Sequence, residues 1–255
     1  MSLRAIATPM IKDWGWADLG AARRSAHSPA QRVWLFDLDN TLHNAGASAF
    51  RHFDASMNAY IERELSVSAA EANHLRQHYW ARYGSTLLGL IRHHGVKPEH
   101  FVRHTHALPT LEAEVVTHAH DVAALRHLPG RKIILTNAGR DYALRVLSAL
   151  GMSRLFDAVI GIEEMRMFGH IRPKPDTRMF RALLARLRVM PADCTLVEDT
   201  LLHQKAAHSV GMRTVWMQRW VKHHAHGPEV GVYLHRKPAY VCARINSLQQ
   251  LHRLP

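Results

Sequence analysis

Val33-Trp34-Leu35-Phe36 is a run of four apolar residues that stops abruptly at Asp37-Leu38-Asp39-Asn40-Thr41. A short continuous apolar run that empties into a polar loop is the pattern of a strand buried on both faces, as in parallel sheets covered by helices. The pattern returns along the chain. Lys132-Ile133-Ile134-Leu135 runs into Thr136-Asn137-Ala138-Gly139, Ala158-Val159-Ile160 follows, and Thr195-Leu196-Val197 runs into Glu198-Asp199-Thr200. Arg213-Thr214-Val215-Trp216-Met217 and Tyr240-Val241-Cys242-Ala243 predict two more strands. Helical spacing fills the intervals, with Leu144, Val146, Leu147 and Leu150 closed by Gly151, and Met179, Phe180, Leu183, Leu184 and Leu187 behind an N-cap at Asp176. A third helix is expected over 201–210, ended by Gly211. Repeated strand–helix–strand units predict an α/β fold built on a doubly wound parallel sheet.

One interval does not alternate. Between residues 47 and 120 the periodicity is helical throughout, carried by Phe53, Met57, Tyr60 and Ile61, then Leu75, Tyr79 and Trp80, then Leu87, Leu88, Leu90 and Ile91. That is too long for one crossover connection. A helical insertion over the carboxyl edge of the sheet is expected at 47–120, with the core formed by 31–46 and 121–255 and an extension at 1–30. With 47% hydrophobic and 21% charged residues in 255, the chain is in the globular range. No apolar window approaches 18 residues, and the opening MSLRAIATPMIKDW lacks the long apolar run of a cleaved signal, so neither a membrane partner nor export is expected. Cys194 and Cys242 are the two cysteines, both in apolar runs that read as core, and a reducing cytoplasm suits them.

The formal net charge is +12, with 26 Arg and 7 Lys, and its field favours anionic partners such as phosphate esters and nucleotides. The arginines are scattered rather than gathered, as in RALLARLR, so a nucleic-acid face is not expected. The 21 histidines are also spread, and His93-His94 and His223-His224 lack the paired Cys/His spacing of a zinc site.

Ligands in open α/β sheets bind outside the carboxyl ends of the strands, so those ends are where chemistry is sought. Asp37 and Asp39 place two carboxylates on one turn, a costly arrangement unless a cation or a proton relieves it. Mg²⁺ takes hard oxygen ligands, and Glu198-Asp199 at a later strand end could complete such a site. Thr136 and Asn137 bring neutral donors, and Lys174, between prolines in Arg172-Pro173-Lys174-Pro175, brings a cation. Each has a plain alternative as a turn, cap or loop residue. Four such signals in one order make a joint site.

FDLDNTL, ILTNA, RPKP and LVEDT, in that order, resemble the four motifs of the haloacid-dehalogenase-like hydrolase superfamily, over roughly residues 31–217. YWARYGSTLLGL after the first motif further resembles the pyrimidine 5′-nucleotidase branch. The resemblance implies a Rossmann-like core with a mobile helical cap, Mg²⁺ dependence and a covalent aspartyl-phosphate. It makes Asp37 the nucleophile, and Asp39 the acid toward the leaving alkoxide and then the base toward water. Thr136, Asn137 and Lys174 would bind the phosphoryl group; Mg²⁺ would take the Asp37 carboxylate, the Asp39 carbonyl and Asp199, with Glu198 assisting. An acid at Asp39 favours phosphoryl transfer over halide displacement, because halide needs no proton. His203 stands where the family often has Asn, which would loosen the support of the metal ligand.

The implied substrate is a small phosphorylated metabolite, with UMP or CMP suggested by the branch. Tyr79 and Tyr83, four apart on one helix face, either stack on a pyrimidine or pack the insertion's own core. The competing expectations are a phosphatase for sugar phosphates or phosphoglycolate, and a nucleic-acid-binding protein that kept this fold without turnover. His223-His224-Ala225-His226 receives no function.

Overall fold

The computed structural model describes residues 32–45, 47–106, 111–220 and 237–254. The extension at 1–30 and the histidines at 223–226 lie outside them. Six parallel strands form the sheet in the order β3-β2-β1-β6-β7-β8, namely β1 (Val33–Phe36), β2 (Arg131–Leu135), β3 (Ala158–Ile160), β6 (Cys194–Glu198), β7 (Arg213–Met217) and β8 (Ala243–Ile245). The first strand is therefore central, with the chain winding outward to β3 on one side and then to β8 on the other, a Rossmann-like topology.

Alternation within each strand explains why helices cover both faces. Trp34, Phe36 and Ile134 point into one core with Val146, Leu147, Leu248 and Leu251, which come from α7 (Arg140–Ala149) and a 3₁₀ segment at Leu248–Arg253. Val33, Leu35, Ile133 and Leu135 point into the other, against Met179, Phe180 and Leu183 of α8 (Thr177–Leu187) and Ala207 of α9 (Leu201–Ser209). Asp176 caps α8 as expected, accepting from the Arg178 N–H.

Between β1 and β2 the chain forms α1 (Ala47–Leu65), α2 (Ala69–Tyr83), α3 (Thr86–His94), α4 (Pro98–Thr105) and α5 (Leu111–Glu114). Tyr60, Ile61, Tyr79, Leu87, Leu90 and Phe101 give this region its own core, to which Ile162 and Ile171 are added from beyond β3. A sixth helix, α6 (Ala119–His127), begins inside the interval expected for the insertion, yet its Leu125 packs on the sheet.

Two expectations are corrected. The last strand is Ala243–Ile245, not 240–243, because the Val241 N–H turns back to Pro238 O and pairing with β7 begins only afterwards. Cys242 follows that turn, its N–H donating to Thr214 O of β7 at 3.0 Å, and is exposed, while Cys194 in β6 is buried. A two-stranded hairpin, β4 (Arg166–Met167) with β5 (His170–Ile171), was not expected from the pattern.

Candidate active site

The sheet reverses its winding between β1 and β6, so the loops leaving these neighbours part and a crevice opens at their carboxyl ends. Asp37 leaves β1 still tied to the sheet, its N–H donating to Val197 O at 3.0 Å. Glu198 and Asp199 leave β6 beside it. Gln204 of α9 donates to Glu198 O at 2.7 Å, and the Trp216 indole donates to Asp199 O at 2.8 Å, which fixes the strand end from both sides. One carboxylate oxygen from each of Asp37, Glu198 and Asp199 lies within 4.8 Å of the other two.

Lys174 enters from the loop between β5 and α8 and is fully buried. Its ammonium bridges Asp37 Oδ1 and Glu198 Oε2, each at 2.7 Å. The position of its loop is set by Asn137, whose amide donates to Lys174 O while its Oδ1 accepts from the Lys174 N–H, both at 2.9 Å. The Asn137 amide, expected to bind the phosphoryl group, engages the Lys174 main chain at both ends. Thr136 is buried and accepts from the Ala138 N–H at 3.0 Å, which leaves its hydroxyl hydrogen to donate.

One ammonium faces three clustered carboxylates, and the imbalance shows in their proton affinities. Burial first, then the charge of Glu198, pushes the Asp37 pKa up to about 6 against the opposing pull of Lys174. Burial and the charges of Glu198 and Asp37 push Asp199 well above the usual carboxylate range. Burial would raise Glu198 too, but Lys174 and His203 outweigh it and hold that carboxyl low. Hard oxygen donors carrying more negative charge than Lys174 offsets are the donor set of a hard divalent cation. His203, at the position where Asn was the family expectation, has its Nδ1 3.2 Å from Glu198 Oε1, an approach close enough for its charge to favour the Glu198 carboxylate but without hydrogen-bond geometry.

Asp39 is held separately. Its Oδ1 accepts from the Tyr142 hydroxyl at 2.7 Å and from His43 Nε2 at 3.1 Å. Burial would raise its pKa, but the bond and charge of His43 and the Tyr142 hydroxyl bring it below the usual value. Tyr142 lies against Phe53 of α1 and His106 at the end of α4, whose pKa burial holds down to about 4. His43, Tyr142, Gln204 and the engagement of Asn137 with the Lys174 main chain escaped sequence reasoning. The Tyr142 signal was available: a tyrosine that starts a buried helix next to a reactive strand end needs a partner for its hydroxyl.

The two tyrosines of the insertion divide differently. Tyr79 is buried against Gly89 and His93, with its hydroxyl 2.7 Å from His94 Nε2, so it packs the insertion's core and offers no platform to a ligand. Tyr83 is half-buried, with its hydroxyl 2.7 Å from His93 Nε2. Gly84, next in sequence, brings the insertion onto the crevice. A Cβ there would lie 3.0 Å from Leu202, 3.3 Å from Pro175 and 3.6 Å from His203 Nε2, and its φ of +69° also favours glycine.

Residues 32–211 match the family model of haloacid dehalogenase-like hydrolases. The chain belongs to that family. It is 24% identical over 195 residues to Phosphate metabolism protein 8 of Saccharomyces cerevisiae, which covers 72% of this chain and 60% of the relative. Over 88 residues it is 32% identical to the fructose-1-phosphate phosphatase YqaB of Escherichia coli, 34% of this chain and 44% of that protein. The chain thus spans 60% and 44% of the length of these two curated relatives. Among solved structures, a HAD phosphatase from Thermococcus onnurineus matches with a TM-score of 0.55 at 20% identity, over 87% of this chain and 96% of that one. CbbY from Rhodobacter sphaeroides in complex with phosphate matches with a TM-score of 0.53 at 19% identity, over the same 87% and 96%. At these identities the likeness is one of fold. Among the described residues no helix is long and apolar enough to cross a membrane.

Proposed function

We propose that the chain is a Mg²⁺-dependent phosphatase of small phosphate monoesters that works through an aspartyl-phosphate on Asp37. The observation that carries this reading is the Lys174 ammonium bridging Asp37 and Glu198 beside Asp199, with Asp39 held two residues away on its own donors. Asp37 attacks phosphorus, and its new O–P bond forms as the ester P–O bond breaks. Asp39 gives its proton to the departing alkoxide. In the second step Asp39 takes a proton from water as the water oxygen bonds to phosphorus and the Asp37 O–P bond breaks, which releases phosphate and restores both carboxyls. The donors on Asp39 favour its carboxylate, while an incoming phosphate dianion favours the protonated acid, so substrate itself helps to load the proton.

Lys174 stands between Asp37 and Glu198, where it lowers the repulsion between Asp37 and the dianion. Thr136 donates to a non-bridging phosphoryl oxygen. The residues that would hold Mg²⁺ are Asp37, the Asp39 main-chain carbonyl and Asp199, with Glu198 assisting. Bound there, the ion supplies charge to offset the phosphoryl oxygens. Asn137 acts at one remove. Asn137→Ala should cost about 1–2 kcal/mol of stability and lower kcat on the order of 10-fold with KM little changed, as the Lys174 loop loosens. Denaturant melts and steady-state phosphate release read both effects.

The helical region at 47–120 is proposed as the cap that selects the leaving group, between core segments 31–46 and 121–255. Pyrimidine nucleoside 5′-monophosphates, UMP and CMP, are the proposed substrates, on the resemblance of YWARYGSTLLGL; Tyr79 gives no further support. The local match to a fructose-1-phosphate phosphatase favours a second reading, a sugar phosphate. Phosphate release from UMP, CMP, AMP, GMP, fructose 1-phosphate and phosphoglycolate, with Mg²⁺ and with chelator, separates them. Preference for UMP and CMP supports the first reading, and preference for the sugar phosphate supports the second. No release from any ester overturns the phosphatase.

A further inference from the structure

We infer that Tyr142 and His43 are positioning residues that aim the Asp39 carboxyl so that Oδ2 alone exchanges the proton with the leaving group and with water. The inference rests on the reading of Asp39 as acid and base. Both donors converge on one oxygen, Oδ1, with Tyr142 Oη at 2.7 Å and His43 Nε2 at 3.1 Å. Two donated hydrogens on Oδ1 make it the acceptor end of the carboxyl and leave Oδ2 to carry the proton. The two donors come from different elements, so together they restrain the rotation of the carboxyl about its terminal torsion, which is otherwise broad. His43 is fully buried in the turn after Asp39, and Tyr142 comes from the first turn of α7.

Neither donor is free to wander. The Tyr142 ring is 2% exposed and meets Phe53 and His106 edge-on, at centroid distances of 5.1 and 5.7 Å. Both neighbours belong to the helical insertion, so its packing sets where the hydroxyl lies. With His43 Nε2–H directed at Asp39, its Nδ1 has no hydrogen-bond partner among the described residues. A buried imidazole that leaves one nitrogen unmatched to present the other to a carboxylate is poorly explained by stability alone.

Removing the Tyr142 hydroxyl should therefore harm only the steps that move a proton. The test follows formation and breakdown of the phosphorylated enzyme in single turnovers, with an alkyl phosphomonoester identified in the panel and with p-nitrophenyl phosphate, whose leaving group departs without a proton. Tyr142→Phe should slow phosphoryl transfer from the alkyl ester on the order of 10- to 100-fold, with transfer from p-nitrophenyl phosphate within about twofold and breakdown of the phosphoenzyme slowed. His43→Leu should behave alike, and His43→Gln, whose amide donates from the place of Nε2, should recover part of the loss. Equal slowing on both esters, or no slowing on either, overturns the positioning role. Asp39→Asn is the reference. If it too fails to discriminate between the esters, Asp39 is not the acid and the parent reading falls; if it discriminates and Tyr142→Phe does not, only the present inference falls.

Discussion

Asp37→Asn abolishes turnover, by a factor on the order of 10⁴ or more, and leaves the protein folded. The size follows from the role, since replacing a nucleophile removes the covalent route and leaves only binding and electrostatic help. Retention of the fold follows from the geometry. Asn keeps an oxygen to accept from the Lys174 ammonium, which now stands 2.7 Å from Asp37 Oδ1. It also removes one of three crowded carboxylates whose burial and mutual repulsion push the Asp37 pKa up to about 6. In chelator at neutral pH the melting temperature of Asp37→Asn should therefore equal or exceed that of the wild type. Loss of turnover together with a collapse of the melting temperature would mean that Asp37 is structural.

Lys174→Met carries the largest expected effect on stability. Breaking a buried ion pair by removing one partner costs about 3–5 kcal/mol, because the other charge stays buried and unmatched. Here two partners, Asp37 and Glu198, lose their cation at once. For a chain of this size such a loss lowers the melting temperature by roughly 10 °C, and turnover disappears with it. The pH dependence has a definite sign. Asp37 has a folded-state pKa raised to about 6 from 3.8, so the folded state binds its proton more tightly than the unfolded chain does. Its ionisation costs the folded state in full above about pH 6, and the cost fades as pH falls toward 3.8. In chelator, Lys174→Met should therefore recover stability between neutral pH and pH 5. Millimolar Mg²⁺ should recover it at neutral pH, since an ion that binds only the folded state stabilises it. A variant as stable as wild type under all these conditions would contradict the charge accounting of the site.

What the amino-acid sequence reveals of this molecule is what depends on near neighbours. Val33–Phe36 and four of the other five apolar runs mark their strands because a strand buried on both faces is filled mostly by apolar residues, whereas of the run at 240–243 only Ala243 lies in the last strand. Asp37, Thr136 and Glu198 were legible because each ends such a run. Lys174 was legible as a cation in a proline-flanked loop, but not its bridge between two strands, which follows from the return of the chain across the sheet. Asn137 looked like one more donor at a strand end, and only the folded loop shows that its amide faces the Lys174 main chain. The clamp on Asp39 was hidden for the same reason, since Tyr142 lies 103 residues away from it in the chain. The hairpin of β4 and β5, with two residues in each strand, is too short for any period to appear. Tyr79 shares a helix face with Tyr83, as its spacing indicates, but that face turns toward Gly89 and His93.

The central claim is a phosphoryl group carried on Asp37. Asp39→Asn, in which water lacks its base, should hold that group long enough to be caught. The decisive measurement is acid quenching of this variant with Mg²⁺ and its best ester, followed by mass mapping of the peptide that holds Asp37. The account predicts one phosphoryl group per chain on Asp37, absent without ester and absent when Asp37→Asn is added. A variant that still releases phosphate while Asp37 carries no adduct, or an adduct on another residue, would contradict it.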